Sequence, residues 1–316
     1  MSQKKVSILI PTFNSEKYIA QTIESALNQT YKDFEIILVD NASSDNTWQI
    51  IEEYKKKNSS IITSFRNDEN IGPIRNWMKC IALASGVYGK IVWSDDLIEA
   101  NFLKTTVPIL EENNDVGFVF SPAVIFGDVK KEKWFYTSEK QSGLYPTQKF
   151  IEGILFDKDY PNSPANGLFR LKDLEKNLML RIPNKFNSDA SIHAIGNDLL
   201  LYLLTAKDYK KYAYADDTFA KFRAHGDSIT ISTKKSKMVL NYDIAKAYFV
   251  DNFVDDESLI KRFNGILWLH NKVFTTSPEI NKFYFKNKNF KMNFSFLIFN
   301  LFSHNSYIKR FFRKVM

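Results

Sequence analysis

Short apolar runs alternate with helical repeats along the first hundred residues, and each run ends in polar residues. Val6-Ser7-Ile8-Leu9-Ile10-Pro11 reads as a buried strand that leaves the sheet at Pro11. Ser15 or Asn14 is placed to cap a helix in which Tyr18, Ile19, Ile23, Ala26 and Leu27 recur at helical spacing. Residues 34–39 predict a second strand ending at Asp40, and residues 41–47 a polar turn that opens a helix to about Lys57. Residues 61–65 predict a third strand, and residues 73–84 a helix with Pro73 in its tolerant first turn. A last run, Lys90-Ile91-Val92-Trp93, stops at Ser94-Asp95-Asp96. Strands and helices alternating at this pitch predict an α/β chain built on a mainly parallel, doubly wound sheet flanked by helices.

Beyond Leu97 the pattern loosens. Residues 116–121 predict a strand, residues 122–143 read as irregular, charged and aromatic, and an apolar helical run over 199–204 follows Gly196-Asn197-Asp198. From about Asn241 onward only helices and a basic tail are legible.

Composition narrows the class. The 316 residues, 44% hydrophobic and 25% charged, suit a globular protein with a sizeable core. Cys80 is the only cysteine, which excludes an intramolecular disulfide and a cysteine metal cluster and suits a reducing compartment. Residues 6–11 are too short for a signal peptide, and no run reaches the roughly 18–20 apolar residues of a spanning helix, so the expected location is cytoplasmic.

The net charge of +7 is unevenly placed: residues 281–316 carry eight basic residues and no acidic one, so the remainder is close to neutral. In that tail Phe290, Phe294, Leu297, Leu301, Phe312 and Val315 fall near one helical stripe, broken too often by asparagine and serine to span a bilayer. A basic, amphipathic tail predicts peripheral contact with an anionic membrane, which sedimentation with liposomes would test. The alternative use of the stripe is packing on the body or on a second copy in a homodimer. The neutral body argues against nucleic acid as a partner.

Asp95-Asp96 closing a strand is the first candidate for chemistry. In an open α/β sheet, ligands sit beyond the carboxyl ends of strands. Adjacent carboxylates repel, and Mg²⁺ or Mn²⁺ completed by water and phosphate oxygens relieves that repulsion. A lone Asp-Asp could equally cap the next helix. The first strand-to-helix turn has no glycine, which excludes a dinucleotide fingerprint and a Walker loop, and the triphosphate loop of a nucleotidyltransferase as well.

Four stretches carry a resemblance. Val6-Ser7-Ile8-Leu9-Ile10-Pro11-Thr12-Phe13-Asn14 resembles the opening of family-2 glycosyltransferases of the GT-A fold. The turn from Val39 through Asp40 to Thr47 is similar to that family's acidic turn, Asn70-Ile71-Gly72 with Asn76-Trp77 to its third segment, and Trp93-Ser94-Asp95-Asp96 to its metal motif. Trp93 departs from it, standing where many members carry a further acidic residue. Shorter matches follow at Ser163–Arg170, at Gly196-Asn197-Asp198 and at Phe222–Thr230.

The resemblance implies an inverting, metal-dependent transfer from a nucleotide-diphosphate sugar, by preference UDP-linked, to a hydroxyl of a glycan or lipid-linked glycan, as in capsule or lipopolysaccharide synthesis. The transferred unit would be a hexose or N-acetylhexosamine. It implies Asp198 as general base and Asp96 with His225 as holders of Mn²⁺ or Mg²⁺. Pro11, Thr12, Asn14, Asp40, Asp68, Asn70, Gly72, Arg75, Ser94 and Asp95 would contact the donor, and Asn166, Gly167 and Arg223 the acceptor or phosphate side. Plainer roles compete: Asp198 as a helix cap, Asp68 as a turn residue, Arg75 on a solvated helix face, His225 as a surface or capping residue. The expected organisation is a catalytic domain over 1–240, its nucleotide-sugar half 1–121 and its acceptor half 122–240, followed by a helical extension over 241–316. A non-catalytic nucleotide-sugar-binding module and a nucleotidyltransferase are the rival functions.

Overall fold

A computed structural model of the chain describes residues 5–128, 131–226, 228, 233–274, 280–286 and 295. The proposed tail stripe lies almost wholly outside the described residues. No helix among the described residues is long and apolar enough to cross a membrane.

Strands β1 (Val6–Thr12), β2 (Phe34–Asp40), β3 (Ile62–Arg66) and β4 (Tyr88–Ile91) lie parallel in the order β3-β2-β1-β4. Helices α1 (Ile19–Leu27), α2 (Thr47–Lys57) and α3 (Pro73–Leu83) connect them. The strands are continuous apolar runs because both faces are covered. Ile8, Ile10, Ile36 and Leu38 meet Ile19 and Ile23 of α1 and Ile51 of α2 on one face. Leu9, Ile37 and Val39 meet Ile74, Trp77 and Ile81 of α3 on the other, as the period of two requires.

β1 runs one residue further than the sequence predicts: Pro11 pairs with Val39 and Thr12 with Asp40. β4 pairs with β1 only as far as Leu9, so at Pro11 the strand has no β4 partner waiting for an N–H. Neither Ser15 nor Asn14 caps α1. The Ser15 hydroxyl instead bonds the Phe13 carbonyl and the Ser94 hydroxyl.

The sheet continues beyond β4, and there it is mixed. After β5 (Leu97–Ile98) and α4 (Phe102–Glu112) come β6 (Val116–Phe120), β7 (Ala123–Gly127), β8 (Lys133–Phe135) and β9 (Gly143–Pro146). Then follow α5 (Thr147–Leu155), β10 (Gly167–Arg170), α6 (Leu171–Asn177), α7 (Ala190–His193), α8 (Asn197–Ala206), β11 (Lys211–Tyr214) and β12 (Ala220–Ala224). Among the described residues the large sheet has eight strands, β3-β2-β1-β4-β10-β6-β11-β9, with β10 antiparallel to both β4 and β6. The parallel character expected of the whole sheet therefore belongs mainly to its first half.

A second sheet, β5-β12-β7-β8, corrects the irregular reading of residues 122–143, which supply two of its strands. This small sheet assembles the site. β5 starts one residue after Asp96, and β12 pairs with it through Lys221 opposite Leu97, which delivers Arg223 and His225 beside the two aspartates.

Two long helices, α9 (Lys235–Phe253) and α10 (Glu257–Phe274), complete the described chain. The expected boundary between 240 and 241 falls inside α9. C-terminal to that boundary, Ile244, Ala245, Ala247, Phe249 and Val250 of α9 are buried in one core with α8, so the core runs on past residue 240. α8 is buried from Leu199 to Ala206, as a helix apolar on all faces must be.

Candidate active site

A cleft of about 1590 Å³ opens beyond the carboxyl ends of β1, β2 and β4, lined from the donor half, the small sheet, α8 and α9. Its first wall is built from turns tied together by amide side chains. Asn14, at φ 46°, accepts the Ser44 N–H on its side-chain oxygen, while its own N–H donates to the Ser43 hydroxyl. Asn41 donates to Asn70 at 2.8 Å and accepts from Asn67 and from the Ile71 N–H. Asn76 donates to the Val39 carbonyl and accepts from Asn67, joining β2 to α3. Neutral side chains thus hold Pro11, Thr12, Asn14, Asn70, Gly72 and Arg75 along the cleft. Gly72 is required: it sits at φ 84°, and a Cβ there would meet the Ser191 carbonyl oxygen at 2.8 Å.

Two proposed donor contacts are not brought to this wall. Asp40 is fully buried and outside the cleft lining. Its carboxylate accepts from the Ser43 N–H and hydroxyl and pairs with Arg66 at 3.3 Å, so it braces the turn, and Asn41 faces the cleft instead. Asp68 is exposed and off the cleft, as its turn reading has it. Arg75, although exposed, does line the cleft, which favours the phosphate reading over the solvated face.

The second wall carries charge. The Thr22 hydroxyl of α1 lies against the carbonyls of Ser94 (3.1 Å) and Asp96 (2.9 Å), pinning the loop that holds the aspartates. Asp96 is 5% exposed and its Oδ1 accepts the Arg223 N–H at 2.8 Å. Burial, and then the neighbouring charge of Asp95, push the Asp96 carboxyl well above the usual carboxylate range. Asp95 Oδ2 lies 2.9 Å from His225 Nε2. The Arg223 guanidinium donates to the Asp95 carbonyl and to Gln21, sandwiched between Tyr18 (4.9 Å) and Phe126 (4.5 Å). His225 is no surface residue: it is buried, and its ring packs 4.5 Å from that of Tyr18.

These residues fit a divalent cation. Two adjacent carboxyls lie beside an imidazole, Arg223 and Lys90 offset their repulsion only in part, and among the described residues the buried His225 Nδ1 has no partner. Among the described residues no three acidic, histidine or cysteine side chains converge as a ready cage. An ion here would take its remaining ligands from diphosphate oxygens and water. The geometry sets Asp95 opposite His225, whereas the sequence assigned the ion to Asp96. Trp93 brings no carboxylate to the pair: its indole donates to the Ser163 hydroxyl at 3.1 Å and packs 4.5 Å from Trp77.

On the third wall stands Asp198. Its Oδ1 accepts the N–H groups of Gly196 (2.9 Å) and Leu199 (2.8 Å), and its Oδ2 accepts the Tyr242 hydroxyl at 3.1 Å. α8 begins at Asn197, so Asp198 lies in its first turn and is not its N-cap. Burial pushes its carboxyl up to about 7, against the opposing pull of those three donors. A carboxyl poised near neutrality beside a cleft is suited to take a proton.

The acceptor-side assignments of Asn166 and Gly167 are overturned. Asn166 is 0% exposed and ties the Ser121 carbonyl to the Tyr202 hydroxyl, while a Cβ on Gly167 would strike that hydroxyl at 2.4 Å. Both are core residues; Ser163, from the same segment, is the one that reaches the cleft. Sequence reasoning missed Tyr136, Tyr242 and Lys246, which also line it. The only signal for the last two is polar residues at buried positions of α9, Asn241, Asp243 and Lys246 among them.

With this geometry in view, the comparisons are informative. The family model described as glycosyl transferase family 2 matches residues 7–178. MJ1057, a glycosyltransferase of Methanocaldococcus jannaschii, is 36% identical over 243 residues, spanning 68% of this chain and 78% of its own length. The poly(ribitol-phosphate) β-N-acetylglucosaminyltransferase TarS of Staphylococcus aureus is 28% identical over 184 residues, 53% of this chain but 32% of TarS. A crystal structure of TarS residues 1–349 with UDP-GlcNAc superposes with a TM-score of 0.65 at 20% identity, covering 86% of this chain and 73% of that one.

Proposed function

The chain belongs to glycosyl transferase family 2 and is a glycosyltransferase, and from that premise we propose an inverting, metal-dependent transfer from a UDP-linked hexose or N-acetylhexosamine to a hydroxyl of a glycan or lipid-linked glycan in surface polysaccharide synthesis. One observation carries the reading. A single cleft is lined by a crowded carboxylate pair, Asp95 and Asp96, and by Asp198, whose hydrogen-bond partners among the described residues are neutral.

Asn14, Asn41 and Asn70 offer amide edges to the nucleoside, and Arg75 and Arg223 lie where diphosphate oxygens would be neutralised. Asp95, Asp96 and His225 would hold Mn²⁺ or Mg²⁺, which supplies Lewis-acid stabilisation of the departing diphosphate. Asp198 takes the acceptor proton as the hydroxyl oxygen bonds the anomeric carbon from the face opposite the diphosphate. The bond from that carbon to the phosphate oxygen breaks, and the nucleotide leaves with its electron pair. TarS supports the donor class through its complex with UDP-GlcNAc, and through its name an acceptor in a cell-surface polymer. Membrane contact through the tail rests on sequence alone.

Transfer from UDP-sugars to a glycan acceptor, assayed with and without EDTA, tests the reading. Activity should vanish in chelator and return with Mn²⁺ or Mg²⁺. Full turnover in excess chelator would overturn the metal-dependent mechanism.

A further inference from the structure

On the reading that Asp198 is the general base, we propose that Tyr242 is its positioning residue, and that the catalytic centre is incomplete without helix α9. Oδ1 of Asp198 is occupied by two backbone N–H groups, which fix that end of the carboxylate. Among the described residues Oδ2 accepts one bond, from the Tyr242 hydroxyl at 3.1 Å. That phenol sets the rotation of the carboxylate plane and leaves the second lone pair of Oδ2 for the acceptor proton. Tyr242 lies beyond residues 7–178, the stretch the family model covers.

Tyr242 is set on a helix that is itself locked. One turn on, Lys246, 2% exposed, donates to Asp157, which sits at φ 53° after α5. The other oxygen of Asp157 lies 2.8 Å from His270 Nε2 on α10, and His270 Nδ1 lies 2.8 Å from Asp243, the residue next to Tyr242. This ring of alternating charges ties α9 and α10 to the body beside the base. A buried ion-pair network of this kind is better at fixing one arrangement than at adding stability. The titratable groups nearest the Asp198 carboxyl are Tyr242 on α9 and Tyr136 after β8; His193, Asp157, Asp159 and Lys246 stand further along the same cleft. Burial keeps both phenols protonated well beyond neutral pH, so Tyr242 remains a donor wherever Asp198 titrates.

A donor to the ionised carboxylate favours that form, so its removal raises the pKa of the base. In Tyr242→Phe the acidic limb of kcat against pH should move up by about one unit. Turnover should fall about tenfold at pH 6.5 and recover as the pH approaches 9, with KM for the donor unchanged. Tyr242→Gln, which keeps an N–H donor, should return the limb part of the way. ¹³C-carboxyl NMR, with Asp198 assigned by loss of its signal in Asp198→Asn, reads the same shift without relying on turnover. UDP affinity by calorimetry confirms that the variants are folded. A Tyr242→Phe limb and Asp198 titration identical to wild type would overturn the proposal, as would a loss equal at every pH. Retained turnover in Asp198→Asn would overturn instead the base assignment on which it rests.

Discussion

Two carboxylate centres line the same cleft, and they are set in opposite surroundings. Asp96 is buried beside another aspartate, with a histidine, an arginine and the backbone N–H of Arg223 crowded around the pair. Asp198 is half-buried beside two amides and a phenol. Burial raises both carboxyls above the ordinary range, but the reasons for keeping them differ. At Asp95–Asp96 like-charge repulsion adds to the cost of burial, and on the proposed reading a cation and its diphosphate would relieve it. At Asp198 neutral donors leave a base whose affinity for a proton is matched to neutral pH. On the proposed reading the same residue type would serve charge binding on one wall and proton transfer on the other.

The harshest way to break this comparison is to remove the proton acceptor while keeping its shape. Asp198→Asn should lower kcat by about 10²–10⁴-fold and leave KM for the donor nearly unchanged. Near-normal turnover with only a lower thermal midpoint would mean that the carboxyl serves the first turn of α8 and not the chemistry.

A milder substitution probes the other wall. Arg223→Met keeps the backbone N–H that Asp96 accepts but removes the guanidinium that fixes the Asp95 carbonyl and Gln21. By analogy with other groups that orient metal ligands, the Mn²⁺ concentration for half activity should rise about 10–100-fold. The acidic limb assigned to Asp198 should stay where it is. An unchanged Mn²⁺ requirement would detach Arg223 from the carboxylate pair.

How far the sequence reaches also divides along these walls. From β1 to α3 each element has one strong periodicity and each turn a distinctive polar set, so strands, helices and most donor-side residues are legible within a residue or two. Failures there are local: Asp40 has the right residue type at the right strand end, but Ser43 and Arg66 consume its carboxylate. On the other wall Asp198 is legible because it opens an apolar helix, whereas Tyr242 and Lys246 are not. α9 mixes buried polar and apolar positions, and its partners Asp157 and His270 are distant in sequence. Asn166 and Gly167 mislead for a related reason, since packing against Tyr202 demands the small and amide residues that a binding loop would also use.

The smallest expected effect on turnover, and the sharpest contrast between the walls, comes from pH acting on that buried ring. Burial by itself would lower the His270 pKa, but Asp243 and Asp157 outweigh it and hold the ring at about 10. A histidine raised from about 6.5 in the unfolded chain contributes stability that is complete below that pH and is lost as pH climbs through 10. Asp157, held well below the usual carboxylate range by Lys246 and His270 against the cost of burial, contributes above its unfolded pKa and so does not oppose this trend. The donor wall, knit by neutral asparagines, has no counterpart to His270. Between pH 7 and 10 the His270 contribution to the thermal midpoint should therefore fall, while the buried Lys90 amine of β4, pushed well below its usual range by burial, works in the opposite sense. Hydrogen exchange, corrected for its intrinsic pH dependence, should quicken more in α9 and α10 than in α1 to α3. His270→Gln should start from a lower midpoint, and its deficit against the wild type should shrink as the pH climbs to 10. Because His270 stands behind the cleft lining, its replacement should reduce kcat at pH 7 less than either substitution above. A His270→Gln deficit that stays the same from pH 7 to 10, or exchange that quickens equally on both walls, would show that the ring does not hold the base side in place.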